Sequence, residues 1–65
     1  MIQELDTVVL TRDVAEHGLR MGDVGAVVFC VDNSFEVEFV SADGRTIAVL
    51  SLTSADVIVV VSERV

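Results

Sequence analysis

The sequence contains no proline, tryptophan, tyrosine or lysine, and it has a single cysteine and a single histidine. Each absence excludes something. Cys30 alone closes no internal disulfide, so packing must hold the fold, and a lone thiol suits a reducing compartment. Without Trp or Tyr the chain lacks the aromatic-lined groove that grips proline-rich peptides. The longest unbroken apolar run, Ala26 to Val31, is far below the roughly 18–20 residues that cross a bilayer, so no membrane association is expected. The opening residues Met1-Ile2-Gln3-Glu4-Leu5-Asp6 lack the basic and then apolar segments of a secretory signal, and a cytoplasmic location is expected.

Positive charge is also scarce. Eleven acidic residues face four arginines, giving a formal charge of -7, and the mean field around such a chain repels phosphate backbones and anionic lipid. Composition therefore argues against nucleic acid as a partner. The acidic excess serves in part to keep a strongly apolar small domain soluble.

What is present is aliphatic. Hydrophobic residues make up 52% of the chain and mean hydropathy is +0.68, carried mainly by valine and other β-branched residues, which lose less side-chain freedom on a pleated surface than in a helix. Sixty-five residues make one domain, spanning 1–65, that buries only about 60% of the surface its unfolded chain exposes. The class is all-β with a small core.

Along the chain, Thr7-Val8-Val9-Leu10 reads as a first strand. Asp13 to Asp23 carries Gly18 and Gly22 without periodicity and reads as a long loop, in which Val14 to Leu19 has room for one helical turn ending at Gly18. Gly25 to Val31 is a second strand, apolar almost throughout, as expected where both faces are at least partly covered. After a turn at Asp32-Asn33-Ser34, Phe35 to Val40 alternates at period two, with Phe35, Val37 and Phe39 inward and Glu36 and Glu38 toward water. Asp43-Gly44 marks a tight hairpin. Thr46 to Leu52 is the fourth strand, Thr53-Ser54-Ala55-Asp56 a turn, and Val57 to Val61 the fifth strand. Five short strands in this order, with a long loop after the first and tight turns elsewhere, predict a small five-stranded SH3-like barrel, whose closure would remove exposed edges.

An even-numbered loop at the second hairpin fixes the faces. Ala48, Leu50 and Leu52 join the inner face, and Ile47 and Val49 lie outside beside Glu36 and Glu38. Two large apolar residues then face water, and these four residues form the candidate interface, for another protein or for a second copy of the chain. An odd loop or a bulge would reverse the assignment.

Sites of chemistry are not evident. His17 falls on the loop and Cys30 in an apolar strand, so a nucleophile and base pair is not expected, and the two offer no zinc-binding spacing. Glu36 and Glu38 sit on a solvated strand face, where an acid-base pair has no pocket. Gly18, Gly22 and Gly25 are spaced loosely like a phosphate-binding loop, but no helix follows and there is no lysine, so they read as turn residues. Neither catalytic residues, a cofactor nor a metal is expected.

The segment Leu19-Arg20-Met21-Gly22-Asp23-Val24-Gly25-Ala26-Val27-Val28 resembles the turn-and-strand opening of SH3-like and KOW-type barrels. KOW modules use basic loops on RNA, for which only Arg12, Arg20 and Arg45 are at hand here. More closely, Glu4 to Asp13, Glu16-His17-Gly18-Leu19, Gly22-Asp23-Val24-Gly25, Glu36-Val37-Glu38-Phe39 and Ala42-Asp43-Gly44-Arg45-Thr46 together resemble a family of short bacterial proteins called domain of unknown function 4926, with Ala15 where a proline is usual. That resemblance implies a stand-alone bacterial SH3-like protein and brings no catalytic or binding residues. The expected function is that of a non-catalytic adaptor or regulatory module binding another protein, an antitoxin-like partner of a neighbouring gene product being one form. The alternatives are a KOW-like nucleic-acid module and a structural homo-oligomer.

Overall fold

Five strands form where the β-branched runs lie, in a computed structural model that describes residues 2–61. They are β1 (Thr7–Leu10), β2 (Val24–Val31), β3 (Ser34–Val40), β4 (Thr46–Leu52) and β5 (Val57–Val61), with one 3-10 turn at Ala15–His17. Every pairing is antiparallel, in the order β4-β3-β2-β1-β5. Strands β2, β3 and β4 are thus a hairpin meander, with β1 beside β2 and β5 beyond β1.

The sheet has two ends, β4 and β5, and no ladder joins them among the described residues. Closure into a barrel is therefore not seen in the pairing. The turn Thr53–Asp56, shut by Asp56 N donating to Thr53 O at 2.9 Å, carries the chain to the free edge of β1, where Thr11 N donates to Asp56 O at 2.8 Å. The backbone groups on one side of β5 are satisfied there rather than by β4.

Both ends nevertheless face one core. Val8 and Leu10 of β1, Val27 of β2, Phe35, Val37 and Phe39 of β3, Leu52 of β4 and Val57 of β5 are buried in a single cluster. Gly25 lies in β2, as the strand expected over Gly25 to Val31 has it, and is not a turn residue like Gly18 and Gly22. A Cβ at this position would lie 2.7 Å from Val37 Cγ1 and 2.8 Å from Phe39 Cε2, so the absence of a side chain lets β3 pack directly on the strand.

The loop from Asp13 to Asp23 is more built than its lack of periodicity implies. Val14 and Leu19 bond each other reciprocally, N to O at 2.9 and 3.1 Å, around the 3-10 turn, and both side chains are buried. Gly22 N donates to Leu10 O and Leu10 N to Asp23 O, each at 2.9 Å, which stitches the end of the loop to β1. Asp13 and Asp23 accept from the backbone N of Met21 and Arg20 at 2.9 Å. Short polar side chains here satisfy amides that no ladder reaches.

Candidate functional site

The outer face of β3 and β4 is set by the hairpin between them. Gly44 adopts φ 86, and its N donates to Ser41 O at 2.9 Å while Ser41 N donates to Arg45 O at 2.8 Å. This is a three-residue connection, Ala42-Asp43-Gly44, with glycine at the left-handed position that such loops require. The Asp43 carboxylate accepts from the Ser41 hydroxyl and, at 3.2 Å, from Arg45 Nε. Those bonds, the Ser41 one first, hold its pKa below the usual carboxylate value.

The connection is odd-numbered, which alone would turn Ile47 and Val49 inward. A one-residue shift between Phe39, opposite Ala48, and Val40, opposite Thr46, cancels it. The bulge leaves Ile47 without a partner and restores the expected faces: Phe35, Val37 and Phe39 stand opposite Leu52, Leu50 and Ala48, and Val49 stands opposite Glu38. Ile47 and Val49 are 48% and 52% exposed. Glu36 and Glu38 are partly buried, Glu38 accepting from Thr46 Oγ1 at 2.8 Å and Glu36 from the Ser51 hydroxyl. All four residues of the candidate interface share one face.

That face is wider than four residues. Val9 of β1 pairs with Val24 on one side and Ile58 on the other, while Val24, Val40 and Ile47 line one shallow recess. An aliphatic row thus crosses every strand of the sheet. Val24, Val40 and Ile58 are each about half exposed, and Phe29, beside Glu36, extends the row along β2. The apolar run of Gly25 to Val31 implies that both faces of β2 are at least partly covered; Val28, Phe29 and Val31, with Val24 at the strand's start, are instead about half exposed. A legible signal was the absence of any helix-length segment, since a single sheet without a second layer has nothing of its own to cover its outer face.

Cys30 and His17 are held apart in function. Cys30 Sγ donates to Ile2 O at 3.8 Å, and burial, then the charges of Glu4 and Asp6, push its thiol pKa up. A protonated thiol is a poor nucleophile. His17 is exposed on the 3-10 turn, and no hydrogen bond joins it to Cys30 among the described residues. Among the described residues, no three His, Cys, Asp or Glu side chains gather as a metal-ligating group and no helix is long and apolar enough to cross a membrane.

Two aspartates make bonds around β1 that the sequence does not announce. Asp6, fully buried, accepts from Gln3 N at 2.9 Å through its carboxylate, while its backbone carbonyl takes Val27 N at 2.9 Å. Asp56 was expected only to bond nearby backbone. It accepts from Thr53 N at 2.9 Å and also from Arg12 Nε at 2.9 Å, joining the β4–β5 turn to the chain after β1. The Thr53 bond first, and the Arg12 bond after it, hold the Asp56 pKa below its usual value. Its stabilising contribution is therefore complete above the unfolded-state pKa of about 3.9 and fades as pH falls through the lower folded value. Asp56→Asn lowers stability by about 1–2 kcal/mol at pH 7. The gap to wild type narrows below about pH 4, which urea unfolding at several pH values measures.

The family model described as Domain of unknown function (DUF4926) matches residues 4–59, a span that takes in the outer-face row from Val9 to Ile58. The chain belongs to this family. The matched span covers all of β1 to β4, the Arg12–Asp56 contact and the bulged β3–β4 hairpin, so the outer-face row lies within the part of the chain that defines membership of DUF4926. No curated protein and no solved structure matches the chain.

Proposed function

We propose that this DUF4926 protein is a non-catalytic, SH3-like protein-binding module that engages another protein through the outer face of its sheet, acting as an adaptor or regulator. The observation that carries the reading is the aliphatic row Ile47, Val40, Val24, Val9 and Ile58 across one uncovered face. A lone exposed aliphatic is ordinary, whereas a contiguous patch marks an interaction surface. Completing the burial of each half-exposed valine or isoleucine contributes about 1 kcal/mol. The three-strand meander with β1 and β5 added at its far end supports the SH3-like description. The charge of -7 favours a partner with a basic rim around an apolar centre, and it disfavours RNA or DNA.

The test is stoichiometric capture with the tagged protein from its native host, repeated with Val24→Lys and Ile58→Lys. Both positions point to solvent and the variants keep wild-type stability within about 0.5 kcal/mol. A single protein that co-purifies with wild type and is lost with both variants is the expected result. A partner retained by both variants, or no partner at all, rejects the outer face as the binding surface.

A further inference from the structure

The β4 edge poses a separate problem from the outer face. Among the described residues no strand lies beside its outer backbone groups, and an edge of this kind is a template for another strand unless it is blunted by charge, proline or a bulge. β4 reads Thr-Ile-Ala-Val-Leu-Ser-Leu, with no charge and no proline. Its bulge sits at Ile47, at the beginning, so Ala48–Leu52 runs in unbroken register against β3. The other end strand, β5, is interrupted by a register shift after Val59. β4 is the longer regular edge. Its inner-face residues Ala48 and Leu50, although packed against the core, remain only partly buried, as expected where one flank is missing.

We infer that a second copy of this chain adds to the β4 edge, antiparallel about a local two-fold within Ala48–Leu52, and joins two five-stranded sheets into one. Three observations favour a second copy over a foreign strand. The two-fold pairs residues of like parity, so the inner face of one β4 always continues the inner face of the other and the half-covered Ala48 and Leu50 cover each other's flank. The strand carries no charge with which to select a basic partner. The carboxylates that would oppose self-association, Glu36 and Glu38, stem from β3 and are hydrogen-bonded to Ser51 and Thr46 on the outer face, off the backbone edge that the second copy takes. Their mutual repulsion is screened over roughly 8 Å at physiological salt. The cation nearest β4, Arg45, is exposed beside the strand's first residue. The antiparallel arrangement brings it toward the second copy's Thr53–Asp56 turn.

Sedimentation equilibrium of the full chain, with Val49→Lys and Ser51→Lys, tests this. Both positions are exposed and stand opposite Glu38 and Glu36 on β3, so each lysine gains a carboxylate within its own sheet and the fold is kept. Across a two-fold at residue 49, 50 or 51, lysine faces lysine in the Val49→Lys/Ser51→Lys double variant. The expected result is a species of twice 7.0 kDa for wild type, with the dissociation constant raised roughly tenfold or more in the double variant. Wild-type self-association should also tighten between about 20 mM and 0.5 M salt, because screening relieves repulsion between two acidic copies; a basic partner on the outer face would loosen. Amide exchange should slow at alternate residues of Ala48–Leu52 as protein concentration rises. A 7.0 kDa species at all concentrations up to about 1 mM overturns the inference. So does a dimer that survives both β4 lysines but is lost with Val24→Lys, which would place the contact on the outer face. Val49 and Ser51 also point to the outer face, so the crossed comparison decides: a dimer lost with the β4 lysines but kept by Val24→Lys and Ile58→Lys carries the edge, loss of a captured partner with Val24→Lys and Ile58→Lys carries the outer face, and the two stand or fall separately.

Discussion

Gly25→Ala costs about 3 kcal/mol, at the upper end of what one added methyl does in a packed interior. The new Cβ meets Val37 Cγ1 at 2.7 Å and two ring carbons of Phe39 at 2.8 and 2.9 Å. Neither neighbour can swing away, because Val37 and Phe39 are 0% and 1% exposed. Conformational preference works the other way: alanine reduces the freedom of the unfolded chain relative to glycine, a gain of under about 1 kcal/mol. The steric term wins. Urea unfolding followed by far-ultraviolet circular dichroism measures the loss. Trimming the ring in a Gly25→Ala, Phe39→Leu double variant should cost less than the two single changes added together, since they share one contact. Strict additivity would show that the strand shifts to make room and that close approach is not why glycine stands here.

Phe39→Ala removes about 3–5 kcal/mol. A domain of this length has a total stability of only about 3–10 kcal/mol, so the variant loses about a third of it at the least and unfolds if the wild type lies at the lower end. Phe39 is the largest of the fully buried side chains and lies in the cluster that both ends of the sheet share. The three phenylalanines give the comparison. Phe35, 5% exposed, also borders the recess lined by Ile2, Cys30 and Val59 and should cost somewhat less. Phe29, 52% exposed on the outer face, should cost under about 1 kcal/mol. An equal loss at Phe29 and Phe39 would mean that the outer face is covered in solution, which would itself speak for an interface.

The bulged hairpin shows how a correct expectation can rest on incomplete premises. The facing of Ile47 and Val49 follows from an even loop, yet the loop is odd and the bulge at Ile47 reverses the reversal. A bulge reflects how the strand bends around its core, and the alternation of Thr46 to Leu52 carries no mark of it. The second strand illustrates the opposite case. Its apolar run from Ala26 to Val31 matches a strand buried on both sides, but burial requires a covering layer, and the described residues contain none. The outer face was thus legible as an exclusion, from the lack of helices, more than as a pattern.

By itself the sequence determined the local and additive properties of the protein. The β-branched runs specify the strand positions, the alternation in Phe35 to Val40 specifies a core-facing stripe, Asp43-Gly44 specifies a turn, and the charge excess specifies a field. These depend on neighbours along the chain or on sums over it. Only the tertiary structure decided that β5 joins β1 and leaves β4 as an edge, that Val14 and Leu19 fold back into the core, that Gly25 is empty to admit Phe39, and that Val9, Val24 and Ile58 align into one row. Each is a contact between segments distant in sequence, set by which backbone and apolar surfaces remain unsatisfied after the local elements have formed.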